Sequence, residues 1–285
     1  TKQYDDGGVY EGTFRNGKQH GRGTYRLPSG YEYTGDWVEG EILGQGIAKF
    51  PNGSVYEGAF ARGKPSGKGK ITYADGGTYE GDWLDGQITG QGVAHYANGS
   101  VYEGGFLNAL HDGKGLLTQP NGYRYEGGWK QGVKDGAGKI TYPDGASYDG
   151  QMKDNQRAGQ GKLTLSDGLV YDGAWVDGQM NGKGKLTQPN KDVYEGDFAG
   201  DKRQGQGKVT YANGDKESTG LTDYQIMMGW AVVGSRRAGA PLYFNRPKGS
   251  GGTNPQFAEQ SQLGDAGDDM WKNKSVAAVN HFRNA

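Results

Sequence analysis

The side chains that most often carry chemistry are few and scattered in this sequence. There is no cysteine, and the four histidines are His20, His95, His111 and His281. No two of them have the spacing that would place both on one face of an element as metal ligands. His20 and His111 fall in or near predicted hairpin turns, where we expect them to be solvated. The sequence therefore predicts no metal site.

Two other patterns resemble functional motifs but lack the required context. The acidic residues Asp265, Asp268 and Asp269 lack the spacing and the closing glutamate of a Ca²⁺ loop, and a helix N-terminus explains them better. The recurring Gly-x-Gly is not a dinucleotide fingerprint, since no helix follows it and no βαβ unit is predicted. No Ser-His-Asp pattern stands out. We therefore predict no catalytic residue, no cofactor and no enzymatic activity.

The composition indicates a repetitive β protein. Among 285 residues there are 56 glycines, 19 tyrosines and 6 tryptophans, and only 33% of the residues are hydrophobic. The glycines do not recur every third residue, which excludes collagen, and the aromatic residues are too regular for a disordered chain. A net charge of −1 gives no general attraction to nucleic acid. The longest apolar run, residues 226–233, is shorter than the roughly 20 residues of a membrane span.

The aromatic and glycine residues recur every 23 residues without interruption. A Tyr-x-Gly-x-aromatic pattern begins at Tyr10, Tyr33, Tyr56, Tyr79, Tyr102, Tyr125, Tyr148, Tyr171 and Tyr194. A Gly-x-Gly pattern begins at Gly21, Gly44, Gly67, Gly90, Gly113, Gly136, Gly159, Gly182 and Gly205. Period-two alternation predicts strands, and Asn16-Gly17 and Pro51-Asn52-Gly53 predict the two turns. Each unit should therefore form one β-hairpin.

These units resemble the MORN (membrane occupation and recognition nexus) repeat, whose consensus is close to YEGxWxxGxxxGxGxxxxxxG. The segment from Thr78 to Gly92 matches it nearly throughout, and the resemblance covers roughly residues 4 to 214. The resemblance implies an all-β repeat fold, an elongated single-layer twisted antiparallel sheet of tandem hairpins. To this we add a short, partly helical C-terminal tail.

Departures from the pattern mark particular units. Met152 replaces the aromatic residue of the seventh unit, and Lys191 replaces the turn glycine before the ninth. Glu217 stands where the next tyrosine should be. Tryptophan closes the pattern in every second unit, which indicates either duplication of a hairpin pair or different surroundings for odd and even units. The chain opens inside a hairpin without an initiator methionine, so we expect that an N-terminal piece was removed, by processing or in preparing the chain.

The aromatic face of the hairpins is the predicted binding surface. Most rings should stack over strand glycines, but a single-layer sheet should leave them partly exposed. We therefore predict a scaffold that binds a protein partner, an extended or helical peptide, along this face. The predicted contact residues are Tyr33, Trp37, Tyr56, Phe60, Tyr79, Trp83, Tyr102, Phe106, Tyr125, Trp129, Tyr171, Trp175, Tyr194 and Phe198.

Residues on the opposite, outer face distinguish protein binding from the alternative function, which is association with phospholipid. A row of carboxylates from Glu11 to Glu195 and a row of lysines from Lys70 to Lys208 can pair across strands. Lysines alone would suggest association with anionic phospholipid, as the family name implies; their pairing favours the protein partner. Ile47, Val93 and Leu116 replace lysine in the N-terminal half and make that part of the outer face less polar.

The sequence divides into four segments. Residues 1–214 form the array, with nine full repeats and a partial N-terminal one; 215–248 a degenerate cap and apolar segment; 249–267 a flexible linker; and 268–285 an amphipathic helix. We expect an unpaired strand edge near residues 210–215, to be covered by the tail through Met227, Met228, Trp230, Trp271 and Phe282. Alternatively the helix is offered to another protein. Open edge strands also permit a homodimer, and the chain is expected to be soluble or peripherally membrane-bound, in a compartment that the sequence does not identify.

Overall fold

Residues 1–219 are described by the computed structural model, and within them the chain is built from strands and turns without a helix. These residues divide into two compact units, Thr1–Pro120 with Trp129–Gly132, and Asn121–Gly128 with residues 133–219. The predicted cap beyond residue 219, the linker, the helix and the five tail-docking residues lie outside the described residues.

The first unit is a continuous antiparallel meander in which each strand pairs with its neighbours in the sequence. Its hairpins each combine a seven-residue strand with a nine-residue strand. The strands are β1 Lys2–Gln3, β2 Val9–Arg15, β3 Lys18–Arg26, β4 Glu32–Val38, β5 Glu41–Lys49, β6 Val55–Ala61, β7 Lys64–Thr72, β8 Thr78–Leu84, β9 Gln87–His95, β10 Val101–Leu107 and β11 Leu110–Thr118.

The second unit is built in the same way, with antiparallel pairing in chain order from β13 onward. Strand β12, Arg124–Lys130, contributes residues to both units. The remaining strands are β13 Val133–Thr141, β14 Ser147–Lys153, β15 Gln156–Thr164, β16 Val170–Val176, β17 Gln179–Thr187, β18 Val193–Ala199, β19 Lys202–Thr210 and β20 Lys216–Thr219. The predicted tandem hairpins are thus confirmed in both units.

The end of the described array differs from the sequence-based expectation. Thr210 pairs with Lys216 and Val209 with Glu217, because β20 adds to β19. The Tyr211 hydroxyl donates a hydrogen bond of 2.7 Å to the Glu217 carboxylate. The expectation of an unpaired edge at Thr210 is therefore wrong, since a strand forms there without the aromatic pattern.

Both turns of the repeat have the predicted chemistry. Asn16 and Gly17 have φ of 50° and 79°, the left-handed pair that a two-residue hairpin turn requires. In the second turn, Gly53 has φ of 85°, and the Asn52 side chain accepts a hydrogen bond from the Ser54 amide at 2.9 Å.

Lys191 occupies the glycine position of that second turn with φ of 72°. A side chain with a Cβ is strained in this region, and Lys191 is exposed, so it gains little from packing. We expect Lys191→Gly to raise the free energy of opening of the β17–β18 pair by about 1 kcal/mol. Hydrogen exchange of the β17–β18 amides measures the effect. Lys191→Ala is the matched control, because alanine keeps the Cβ; an equal gain in both variants would contradict the strain argument.

A bulge recurs directly after the motif glycine of the first strand in the hairpins β2–β3, β4–β5, β6–β7, β8–β9, β10–β11, β14–β15, β16–β17 and β18–β19. In β6–β7, Gly58 pairs with Gly69 but Phe60 pairs with Pro65, so β7 carries extra residues. Gly67, the first glycine of Gly-x-Gly, has φ of 92° there. The Tyr56 hydroxyl donates a hydrogen bond of 2.9 Å to the Ala59 carbonyl, and thus satisfies an acceptor at the irregularity.

The motif tyrosine of each 23-residue repeat lies across two glycines of adjacent strands. A Cβ on Gly69 would stand 2.6 Å from Cε2 of Tyr56 and closer still to its hydroxyl oxygen. Only glycine leaves room for the ring at this position. The predicted stacking of aromatic rings over strand glycines is confirmed, and it explains the second glycine of Gly-x-Gly.

Candidate binding faces

The motif aromatics form a ladder of edge-to-face rings in each unit. Tyr33 lies 5.6 Å from Trp37 of its own hairpin and 5.0 Å from Phe60 of the next, between ring centroids. In the second unit, Tyr171 lies 5.1 Å from Trp175 and 5.0 Å from Phe198. Such contacts add to the stabilisation that burial of the rings provides.

Tryptophan contributes a hydrogen bond that phenylalanine cannot make. Trp37, Trp83, Trp129 and Trp175 each donate from Nε1 to a backbone carbonyl fourteen residues earlier, that of Gly23, Gly69, Gly115 and Gly161. Because tryptophan recurs in every second repeat, this hydrogen bond also recurs in every second repeat.

The predicted binding residues are all placed on the aromatic face, but they are not exposed. None of the fourteen rings is more than 6% exposed. The expectation of a partly exposed aromatic ribbon is wrong, because the rings cover one another and the bare glycine backbone. These residues form a closely packed interior, and whether a partner binds along this face stays a prediction.

The expectation that His111 is solvated is also wrong. It is buried and stacks on Tyr102 with ring centroids 3.6 Å apart, while the Trp129 ring meets it edge-on at 4.7 Å. A hydrogen bond joins its Nε2 to the Tyr96 hydroxyl. It is not solvated because it is the second residue after the tight turn, at an inward-facing position. His20, in contrast, is half-buried and lies 3.7 Å from the Glu39 carboxylate.

The same inward position carries buried cations in later repeats, which the sequence analysis missed. Lys134, Arg157 and Arg203 are buried there. Their charged groups lie 5.6 Å from the Tyr125 ring, 4.3 Å from the Trp175 ring and 4.7 Å from the Tyr194 ring, respectively. Such cation–π contacts favour burial of charge. Their 23-residue spacing could have revealed them, because the equivalent residues of the earlier repeats are Ile42, Pro65 and Ile88.

Burial also alters the tyrosine hydroxyls of the interior. Desolvation raises the pKa of Tyr31 to about 12. Desolvation, with smaller contributions from Asp201 and Asp172, raises the pKa of Tyr171 to about 12. The folded chain therefore holds the neutral phenol more strongly than the unfolded chain, whose tyrosines titrate near the ordinary value of 10.0.

The stability of the fold should consequently fall at alkaline pH. Below pH 10 the contribution of these tyrosines is fully present; it decreases as pH rises from about 10 to about 12, because only the unfolded chain releases the protons readily. We expect the urea midpoint to be lower at about pH 11 than at about pH 8, with tyrosinate absorbance appearing as the chain unfolds. An unchanged midpoint would contradict the raised pKa values.

The outer face differs between the two units. In the second unit carboxylates alternate with lysines: Asp149 stands between Lys139 and Lys162 in register, and Lys185 lies 3.1 Å from Glu195. The predicted pairing of the two rows is confirmed in this unit. In the first unit the row is interrupted by aliphatic residues.

Large apolar side chains are exposed mainly in the first unit. The side chains that are 38–60% exposed in that unit are Phe14, Val38, Leu43, Ile47, Leu84 and Leu107. In the second unit, the exposed large apolar side chain among the described residues is Val176.

Among residues 1–219 there is no cluster of histidine and acidic residues that could hold a metal ion. Over the same residues no helix is long and apolar enough to cross a membrane.

Comparison with known proteins gives short matches to curated sequences. The chain is 42% identical over 69 residues to an alpha-amylase of Clostridium acetobutylicum, which is 24% of this chain and 8% of that protein. It is 43% identical over 53 residues to alsin of Rattus norvegicus, which is 17% of this chain and 3% of that protein. The chain thus spans less than a tenth of the length of these relatives.

Solved structures with a similar arrangement have low sequence identity. The TCP10 domain of Danio rerio CPAP matches with a TM-score of 0.38 and 13% identity, over 76% of this chain and 98% of that chain. The Drosophila melanogaster SAS-4 TCP domain, in complex with a proline-rich motif of Ana2, matches with a TM-score of 0.31 and 17% identity, over 61% of this chain and 83% of that chain.

The family comparison matches most of the chain. The MORN repeat model fits nine consecutive segments, which are residues 10–30, 33–55, 56–78, 79–101, 102–122, 125–147, 148–170, 171–193 and 194–216. These segments coincide with the hairpins of the structure and include the tyrosine and glycine residues whose contacts are described above. The chain therefore belongs to the MORN repeat family.

Proposed function

We propose that this chain is a non-catalytic scaffold that binds a protein partner. The observation that carries the proposal is the exposure of large apolar side chains on a regular sheet, most of them in the first unit. Scattered apolar residues are ordinary on protein surfaces, but neighbouring ones that share a face favour association with another protein. The interior ladder supports this role because its closely packed rings hold the outer-face residues of each unit on a regular sheet.

The aromatic face remains the second candidate surface for the partner. Its fourteen rings, from Tyr33 to Phe198, are buried, so a peptide there would contact ring edges and the residues that flank them. Association with anionic phospholipid has weaker support. The lysines of the second unit, such as Lys185, pair with carboxylates, which reduces the positive charge available to lipid headgroups.

A binding experiment with the complete chain tests the proposal. The 285-residue chain is used as bait, and each captured protein is purified and titrated against the chain by calorimetry. We expect saturable binding by at least one partner that is weakened by Leu84→Ser with Leu107→Ser, since both side chains are exposed. Trp83→Phe is the comparison variant on the aromatic face. If no purified protein binds saturably, the scaffold function is wrong.

A further inference from the structure

One part of the outer face combines aliphatic residues with Glu80, which has a lysine on one side only, and Glu103, which has a lysine on neither side. We call it the β8–β11 patch and define it by Glu80, Leu84, Val93, Glu103, Leu107 and Leu116. All six residues belong to the first unit. All six face outward, because they alternate along their strands with the buried residues of the aromatic face.

The strand register places aliphatic residues where lysines would neutralise the carboxylates. Glu103 pairs with Val93 on one side and with Leu116 on the other. Glu80 pairs with Val93, and its other neighbour Lys70 lies at 4.0 Å. Among the described residues, no cation lies within ion-pair distance of Glu103. The patch therefore carries net negative charge beside apolar surface.

The second unit provides an internal comparison. There the equivalent carboxylate Asp172 pairs with Lys162 and with Lys185, and Glu195 pairs with Lys185 and Lys208. The fold and the register are the same in both units. At these positions the two units differ in which residues flank the carboxylate, so the charge of the β8–β11 patch is a property of its sequence and not of the hairpin.

A second row of the patch is apolar. Leu84 is 60% exposed and Leu107 is 48% exposed, and Leu107 pairs with Leu110 across the tight turn. Gly105 lies between Glu103 and Leu107 and cannot carry a side chain there, because a Cβ would overlap the Asp112 carbonyl oxygen. On β10, therefore, no side chain stands between the Glu103 carboxylate and Leu107.

We infer that the β8–β11 patch binds a basic amphipathic helix of the partner protein, an inference that rests on the proposed scaffold function. Glu80 and Glu103 lie two strands apart, about 10 Å at the usual strand spacing. Leu84 and Leu107 are separated by the same two strands. Seven residues of an α-helix rise about 10.5 Å, so cations one heptad apart would meet both carboxylates. Leucines on the adjacent stripe of that helix would meet Leu84 and Leu107.

The test uses the full chain and a defined probe. The probe is an end-capped, fluorescein-labelled helical peptide of about 18 residues, with lysines one heptad apart and leucines on the neighbouring stripe. Its affinity is measured by fluorescence anisotropy at two salt concentrations. Val93→Lys with Leu116→Lys copies the pattern of the second unit, and Lys70 shows that this position accepts lysine. We expect about tenfold weaker binding by this double variant, with an unchanged melting temperature.

A gain-of-binding variant makes the test two-sided. Lys162→Val with Lys185→Leu gives Asp172 the surroundings of Glu103, and Val176, which is 50% exposed, supplies the apolar neighbour. We expect this variant to bind a second peptide, and a version of the probe with glutamate in place of lysine to bind neither unit. Equal binding of the lysine and glutamate probes, or unchanged affinity after Val93→Lys with Leu116→Lys, overturns the inference.

Failure of the inference is distinguishable from failure of the scaffold function. If a purified partner binds the chain with an affinity that the double lysine variant leaves unchanged, the scaffold function stands and the β8–β11 patch is not its site. An extended basic peptide that binds more tightly than the helical probe would overturn the helical occupant. If neither probe nor any purified protein binds, both proposals are wrong.

Discussion

Replacing Gly69 by alanine is expected to destabilise the hairpins around it by about 3 kcal/mol, at the upper end of the range for overpacked interiors. The added Cβ would stand 2.6 Å from Cε2 of Tyr56 and nearer to its hydroxyl oxygen. The ring cannot move aside easily, because Phe60 and Trp83 pack against it with centroids 5.0 Å away. Its hydroxyl is also held by the Ala59 carbonyl.

The measurement for Gly69→Ala is local, because a repeat array need not unfold in a single step. Hydrogen exchange of the β6, β7 and β8 amides should accelerate, and the change gives the local free energy of opening. Gly77→Ser is the control, since Ser54 and Ser100 occupy the equivalent turn position in neighbouring repeats. It adds a side chain of similar size without meeting a ring.

A double-mutant cycle separates ring overlap from a general loss of glycine. Tyr56→Ala removes the ring and is itself destabilising, but in that background the alanine at 69 no longer has the three closest contacts of its Cβ. We therefore expect the cost of Gly69→Ala to become small when Tyr56 is already alanine. An undiminished cost would show that the backbone of Gly69, and not the ring, requires glycine.

The sequence allowed prediction of the hairpins and turns because these depend on local chemistry. Asn-Gly and Pro-Asn-Gly specify their turns through φ and through a local side-chain hydrogen bond such as that of Asn52, and the structure has the expected left-handed values at Gly17 and Gly53. Period-two alternation also predicted that Tyr56 and the glycines would share a face. The bulge could not be predicted, because period-two alternation continues along β6 while the extra residues lie in β7.

The candidate binding face was predicted less well, and the reason is packing between repeats. Ring exposure depends on distances across strands, such as the 5.0 Å between Tyr33 and Phe60, which a sequence pattern does not contain. His111 was misplaced for a related reason: its closeness to a turn suggested solvent, whereas its register opposite Phe106 turns it inward. The β8–β11 patch could be predicted in part, since the sequence has Val93 and Leu116 where other repeats have lysine. That Leu84 and Leu107 lie on the same face as these residues became clear only from the structure.

Trp175→Ala is expected to cost about 4 kcal/mol, within the range for removal of a large buried aromatic side chain. Trp175 is 1% exposed, and Tyr148 and Tyr171 lie against it with centroids at 5.5 and 5.1 Å. The Arg157 guanidinium lies 4.3 Å from its ring centroid. Removing the ring therefore leaves a cavity and takes away the aromatic face on which a buried cation rests.

Trp175→Phe is the control that assigns this cost to its causes. It keeps a ring in the ladder, as Phe198 does in the next hairpin, but it removes the indole N–H that donates to the Gly161 carbonyl at 2.9 Å. Loss of that bond should cost about 1–2 kcal/mol. Hydrogen exchange of the β15, β16 and β17 amides would then rise by about three powers of ten in Trp175→Ala and by about one in Trp175→Phe. Equal acceleration in the two variants would mean that the hydrogen bond, and not ring packing with Arg157 and the tyrosines, holds these hairpins together.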